Sequence, residues 1–563
     1  MSTRRRLAAS LVVVLALGLA ACAPAMPKSV VPKTRITVGW TGALTSTNAA
    51  VSATSGNTDV AAAVRARFGD IVDGGFVPDA SFGTVKIVSK DPFVVRYDLA
   101  QPAWSDRIPL DAADLLLGWA GASGWFGQDA ADAQASETPV PRVDEFARSI
   151  DVTFAHPTSG WQTAVTVPVP AHIVGERAFG LDDAMEAKQA VITAIRDRDE
   201  AALKKIAKVW NKGFDLPKEG SIPADILLSS GPFVVDSVEN AKTGQSVTLI
   251  PNAAYRGTPT PKVARIELVP SGDQPVADAG GRLDIVQVAP DAANRAPIHE
   301  LERRDFTAEP TDDGTMWAMM LNPRGVFSTP AARIAFIHAT PANAMAQRGG
   351  GQWGNAFAGT TSMTTAPDSE SYAVVNEDSG FTASLGTPGD EPSLQRSGAG
   401  VADGARVCVL YDRGSDFARG AFASLRETSL EAGWNAVDCG ADDMKAALQT
   451  RQWDAVITRV PIPQTPDQIA AQWGSQSTES ITGDGDEHRD GLITQLSQTV
   501  DVYRAREIRA QIEASIVRAA VALPIAVNPR VTIVERGVGA VTARNGAGAS
   551  LMWGAATWTV APS

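Results

Sequence analysis

Residues 227–269 read "LLSSGPFVVDSVENAKTGQSVTLIPNAAYRGTPTPKVARIELV". Within them "SVTLIPN" and "VARIELVP" alternate apolar and polar residues at period two, the pattern of strands with one buried face. The Gly and Pro cluster at 257–261 marks the turn between them. Upstream, Leu181 to Trp210 carries Ile192, Ile195, Leu203 and Ile206 at helical spacing with charges between, which predicts a helix. Downstream, "GTMWAMMLN" (314–322) is apolar enough for a buried strand. Ser328, Thr329 and Pro330 then offer a cap and an early proline for a helix through Ile337.

The same alternation continues outward. "TRITVGW" (34–40), "TVKIVSKDPFVVRYDLAQPAW" (84–104) and "SIDVTFAHPTSGW" (149–161) read as strands and turns, and Asp111 to Ala120 as a helix. "RVCVLYD", the helix expected over Ser415 to Ala432, and "NAVDCG" form a βαβ unit, with "WDAVITRV" (453–460) as a third strand. Residues 345–405 are rich in Gly, Ser and Thr, and read as a lid or a disordered connection. A last helix is expected from Val502 to Leu523, ended by Pro524, followed by the strand "IAVNPRVTIVE".

Composition narrows the function. Lys and Arg number 50 against 63 Asp and Glu, a net charge of −13. Such a surface excludes a nucleic-acid binder, which needs basic patches. The five histidines show no zinc spacing, and no Gly-x-Ser-x-Gly elbow or phosphate loop is present. "DEHRDGLITQLS" (486–497) imitates a calcium loop, but His488 stands where an oxygen ligand belongs and Ser497 replaces the bidentate Glu. It reads as a polar loop entering a helix near Asp490. No enzyme activity, metal or cofactor is expected.

Met1 to Arg6 is basic and Leu7 to Ala21 apolar, the pattern of an export signal. Leu19-Ala20-Ala21-Cys22 resembles the lipobox of bacterial lipoproteins, which implies lipidation of Cys22 and anchoring to the outer face of the cell membrane. Cys408 and Cys439 remain. An oxidising compartment favours a bridge, whereas level parallel strands would separate the two by roughly 10 Å along the strand direction, beyond disulfide reach. The bridge stays open at this stage.

Several blocks in order resemble the family 5 extracytoplasmic solute-binding proteins of ABC importers, the dipeptide and oligopeptide type. They are "LTSTN" (44–48), "AWSDRIPLDAADLLLGW" (103–119), "VPAHIVG" (169–175), the 227–269 stretch, "GGRLDIVQV" (280–288), "MMLNPRGVFSTPAARIAFIHA" (319–339) and "YRAREIRAQIEASIVRAAVALPI" (503–525). The pattern is similar to an actinobacterial branch of lipoproteins. The resemblance implies an α/β, two-lobed periplasmic-binding-protein-like fold of class II, the large peptide-binder type, with an extra N-terminal subdomain. It implies a signal peptide at 1–21, a tether at 22–32, lobe I at 33–311 with a subdomain near 45–170, lobe II at 312–520, and a return to lobe I at 521–563. Hinge strands are expected near Asp312–Gly314 and Val521–Pro524.

The implied function is capture of a peptide or small solute between the lobes and delivery to a membrane ABC permease by a monomer. The alternative is a non-importing envelope lipoprotein on the same scaffold, serving glycolipid assembly. Candidate cleft residues are Asn48, Asn322, Trp353, Arg459, Gln464 and Trp473. Asn and Gln offer donors and acceptors, and Trp offers flat apolar area. Core packing for the tryptophans, a salt bridge for Arg459 and a cap for Asn322 are the competing readings. Two departures stand out. Arg107 replaces the family's usual Gly, and the 460–465 loop lacks the acid that pairs with a peptide's α-amine.

Overall fold

The computed structural model describes residues 26–127, 139–143, 148–386 and 391–562. Cys22 and the export segment lie outside them. Strand β1 (Val31–Trp40) begins inside the expected tether. Ser29 Oγ donates to the Pro261 carbonyl at 2.7 Å and Val31 N–H to that of Lys262 at 2.9 Å, so the chain is already docked there. β2 (Gly69–Val72) and β3 (Gly75–Pro78) form a hairpin. β4 (Gly83–Lys90), β5 (Phe93–Leu99), β6 (Arg142–Val143) and β7 (Ser149–Phe154) make a sheet in the order β4-β5-β7-β6.

The remaining strands are β8 (Phe233–Ala241), β9 (Gly244–Pro251), β10 (Val263–Pro270), β11 (Ile285–Val288), β12 (Thr307–Leu321), β13 (Ala405–Tyr411), β14 (Trp434–Asp438), β15 (Ala455–Pro461) and β16 (Ala522–Val534). With β1 they form one ten-stranded sheet, ordered β14-β13-β15-β12-β16-β11-β1-β10-β9-β8. The 227–269 stretch supplies its far edge. β1 pairs in parallel with β10, and β9 pairs antiparallel with both β10 and β8.

β12 and β16 are long because they serve both lobes. Thr307–Asp312 pair with Val534–Pro529, and Met316–Met320 pair with Val527–Ala522. The register shifts between Asp312 and Met316. The strand position facing the Asp312–Gly314 hinge is therefore Val527–Pro529, not Val521–Pro524. The last helix spans Val502–Ala519 and ends on Ala520 at φ 51°. Pro524 lies in β16 beside Ala318.

Four cores follow from this layout. One face of the lobe I strands packs Ile36, Val38, Leu249 and Ile266 with Val60, Met552 and Trp558. The subdomain core joins Tyr97, Trp104, Leu116 and Val152 to Ile173, Ile195, Ile206 and Trp210. It extends well past residue 170, the boundary expected above. In lobe II, Met316, Ala318 and Val456 pack under Ile508, Ile512 and Ile516. The fourth core runs behind the hinge through both lobes, from Leu283 and Val286 to Trp317, Phe417 and Trp434.

Other elements refine the sequence reading. The 181–210 helix is two helices, Ala184–Arg196 and Glu200–Lys212. Arg198 at φ 52° breaks the turn, and Asp199 caps the second helix. Residues 345–405 are neither lid nor open loop where they are described. They form short helices, including Tyr372–Asp378 and Pro392–Gly398, that bury Trp353, Phe357, Val375 and Phe381. Glycine-punctuated turns of this length are too short to show helical periodicity. Arg107 adopts φ 75°, so the turn keeps a backbone suited to glycine. Cys408 lies opposite Val437, two residues from Cys439, and the two cysteines form a disulfide with Cα atoms 5.6 Å apart. The 10 Å offset fails because Cys408 sits mid-strand.

Candidate functional site

At the expected hinge, side chains stand in for missing ladder bonds. Between Asp312 and Met316 the β12–β16 ladder is interrupted. Asn545 Oδ1 accepts from Asp312 N–H at 2.9 Å. Asp312 Oδ1 accepts from Gly314 N–H at 2.8 Å and Gly546 N–H at 2.9 Å. Asp313 Oδ1 accepts from the Thr315 N–H and hydroxyl. Gly314 has φ 81°, and a Cβ there would lie 2.0 Å from Ala547 N.

Behind the hinge, Asn528 links the strands. Its Oδ1 accepts from Trp317 Nε1 at 2.8 Å, and its Nδ2 donates to Asp313 Oδ2 at 2.8 Å. Arg459 Nη1 stands 3.6 Å from the same Asp313 oxygen.

Away from the core shared by both lobes, the sheet carries two separate cores, one in each lobe. Side chains alternate along a strand, so Arg530 shares its face with Val534, which packs beneath the Ser55–Val64 helix and the C-terminal tail. Past the register break, Val527 and Met316 belong to the core beneath the Val502–Ala519 helix. Thr311 and Arg530 are register partners between these two covering layers. Arg530 Nη2 donates to the Arg544 carbonyl at 3.1 Å. Its buried Nε finds no acceptor among the described residues, and neither does the buried Thr311 hydroxyl find a partner. Burial pushes the Arg530 guanidinium below its usual range, against the pull of Asp313, Asp312 and Asp59. Asp59 accepts from Trp40 Nε1 at 3.0 Å and Ser550 Oγ at 2.7 Å, and burial raises its pKa.

The Val502–Ala519 helix holds two lobe II loops. Buried Glu513 accepts from Ser362 Oγ at 2.8 Å, Met363 N–H at 2.8 Å, Thr364 N–H at 3.0 Å and Thr364 Oγ1 at 2.5 Å. One helical turn earlier, Arg509 Nη1 donates to the Thr364 carbonyl at 2.8 Å and the Pro463 carbonyl at 3.4 Å. The helix thereby fixes the 360–365 and 461–465 loops together. The lobes also touch away from the hinge. Glu370 N–H donates to the Asp73 carbonyl at 3.4 Å, Ser159 N–H to that of Ser497 at 2.8 Å, and Trp353 Nε1 to that of Asp291 at 2.7 Å.

The six candidates do not converge. Asn48 is fully buried and donates from Nδ2 to the Trp210 carbonyl. Asn322 holds the Trp453 carbonyl at 3.1 Å. Trp353 is a core residue under Arg295, 4.7 Å from the ring centroid. Trp473 is buried in the lobe II core, its Nε1 without a partner among the described residues. Arg459, half exposed beside the hinge, and Gln464, exposed at the end of β15, keep polar atoms in reach of solvent. Sequence reasoning missed Thr311 and Arg530. The signal available was the one cation, Arg530, in the mostly apolar strand "IAVNPRVTIVE". The 486–497 stretch is a capped helix, Glu487–Ser497, with Asp486 accepting from His488 and Arg489 N–H groups. Among the described residues no group of three or more acidic, His or Cys side chains could hold a metal, and no helix is long and apolar enough to cross a membrane.

Comparison with known proteins adds the family. Solved structures of similar fold include the periplasmic EDTA-binding protein EppA, with TM-score 0.73, 16% identity and coverage of 94% of this chain and 96% of that one. Another is the ABC transporter substrate-binding protein CtaP from Listeria monocytogenes, with TM-score 0.68, 14% identity and coverage of 93% and 99%. These neighbours share the two-lobed fold. An uncharacterized lipoprotein of Mycobacterium tuberculosis (strain ATCC 25618 / H37Rv) is 27% identical over 291 residues, covering 49% of each chain. The match thus spans about half the length of the curated relatives. The profile described as "Bacterial extracellular solute-binding proteins, family 5 Middle" matches residues 61–379, more than half of the chain. The chain belongs to the family 5 bacterial extracellular solute-binding proteins.

Proposed function

We propose that this protein is a lipid-anchored receptor that captures a peptide or similar small solute between its lobes by hinge closure and presents it to an ABC permease. The observation that carries this reading is the broken register of β12 and β16 at Asp312–Met316. Two strands joining two cores, with their ladder interrupted at one level, provide a pivot. In this reading the contacts of Asp73 with Glu370 and of Ser159 with Ser497 join the lobes in the closed state. A ligand touching both lobes favours that state through its differential contacts. The lobe division that suits this pivot is 33–311 with the chain from about 528 onward, and 312–527. Lipid on Cys22 would hold the receptor near its permease and raise the local concentration.

The bacterial nonapeptide complex of the oligopeptide-binding protein AppA from Bacillus subtilis has the same fold at TM-score 0.60 and 12% identity. That neighbour motivates a peptide as the first ligand class to try. Mature protein with Cys22 replaced is screened against mixed peptide, sugar and glycolipid pools by thermal shift. A ligand at 100 times its dissociation constant adds about 2.7 kcal/mol of stability. Small-angle scattering then reports whether the stabilising pool changes the separation of the lobes. A peptide hit with closure supports import. A glycolipid hit supports the envelope-assembly alternative, and stabilisation without any change in shape refutes the clamp.

A further inference from the structure

We propose that Arg530 and Thr311 form a subsite for an anionic oxygen, a carboxylate in the first instance, at the level of the sheet where the lobe I and lobe II cores part. The assignment rests on the solute-capture reading and names which end of the solute the receptor holds.

The argument is a balance of donors and acceptors. The carboxylates near Arg530 each accept from other donors, and none forms an ion pair with it among the described residues. Asp59 takes the Trp40 indole N–H and the Ser550 hydroxyl. Asp312 takes two backbone N–H groups. Asp313 takes Thr315, Asn528 and, at 3.6 Å, Arg459. Donors are in surplus instead. Arg530 carries five N–H bonds in a planar fork, and makes no ion-pair contact among the described residues. Its Nε is buried without an acceptor, and the hydroxyl of its register partner Thr311 is also buried and unpartnered. Thr311 is 9% exposed. Buried polar groups are normally satisfied, and exceptions need a cause.

A ligand carboxylate supplies acceptors for both. Guanidinium and carboxylate match as a bidentate pair. The pair stands at the level of the sheet where the lobe I and lobe II cores part, so an occupant extending from it would run toward lobe II. This geometry bears on the missing acid of the 460–465 loop. A solute held by its anionic end at the hinge needs no amine partner in that loop.

The test uses the mature chain, Arg530→Met, Arg530→Lys and Thr311→Val. Thermal shift is measured in acetate against chloride at matched ionic strength, then with a tri- to pentapeptide pool bearing free C-terminal carboxylates and the same pool amidated. Acetate is expected to stabilise the wild type and not Arg530→Met. The free-acid pool is expected to bind roughly 10- to 100-fold more tightly to the wild type than to Arg530→Met, the loss of a charge-assisted hydrogen-bond pair. Arg530→Lys should recover part of the affinity, and Thr311→Val should weaken it several-fold. If the pools fail while the acetate effect still depends on Arg530, the subsite stands and the peptide reading falls. If free and amidated pools bind equally well, or Arg530→Met leaves both responses unchanged, the subsite is refuted while solute capture stands. No response to acetate or to either pool refutes the subsite as well. A stability control separates a structural role: ligand-free Arg530→Met melting at or above the wild type fits a binding group, and a large drop shows a structural one.

Discussion

Gly314→Ala probes the pivot directly. Gly314 sits at φ 81°, where an L side chain is strained by about 1–2 kcal/mol. The new Cβ would lie 2.0 Å from Ala547 N and 2.4 Å from Ala547 Cα, so the tail must move. Moving it breaks the Gly546–Asp312 and Asp312–Asn545 hydrogen bonds, at about 1 kcal/mol each. The total is about 3–4 kcal/mol, a large part of a typical domain's 5–15 kcal/mol. Gly220 provides the control. It has φ 90° and nothing within 4 Å of an added Cβ, so Gly220→Ala reports backbone strain alone. Urea unfolding of both variants gives the comparison. The hinge variant should lose about 2 kcal/mol more than the control, the value of the two broken bonds. Equal losses, or a wild-type hinge variant, would show that the tail does not press on the pivot and would refute the reasoning.

Replacing Cys408 and Cys439 together by Ser should cost about 3–4 kcal/mol in the chain-entropy picture, given the separation of 31 residues, and oxidised against reduced protein in urea checks it. Burial holds Asp59 above its unfolded pKa, so folding takes up protons in that window and stability falls as pH rises through it. Asp59→Asn removes the charged form, so its stability relative to the wild type should rise from about pH 3.5 to pH 7; the opposite slope in paired urea titrations contradicts the assignment. Arg107→Gly relieves the φ 75° strain and should gain about 0.5–1 kcal/mol after the glycine's entropic cost, read as a higher urea midpoint.

What could be read from the sequence followed periodicity. The strands at 233–270 carry period-two alternation, and β13 and β15 are short apolar runs flanked by turns, so their type was plain. Capping residues were equally readable, as Thr329 before Pro330 shows. The misses have one origin: the deciding partner is distant in sequence. Pro524 looked like a helix stop, but the helix is closed by Ala520 and the proline is held in β16 beside Ala318. Asn48 and Trp473 carried the chemistry of binding groups, yet neighbours more than 100 residues away in the first case, and a shared core in the second, take them inside. Arg530 looked like one charge in a strand. Only the register with Thr311 shows that two buried groups without partners among the described residues lie side by side there.

Capture by closure demands opposite mechanics in adjoining parts. A pivot must turn without losing hydrogen bonds, and here the backbone N–H groups of Gly314 and Thr315 are held by Asp312 and Asp313, two residues back in the same segment. Such bonds travel with the chain as it rotates, whereas ladder bonds to β16 would break. The cleft loops must instead keep their shape while the lobes move. Glu513 receives four donors from residues 362–364 on two oxygens, and Arg509 ties that loop to Pro463. Both anchors sit on one helix whose Ile508, Ile512 and Ile516 stripe is buried in the lobe II core. In the proposed clamp, lobe II would therefore move as a unit about the interrupted ladder between Asp312 and Met316.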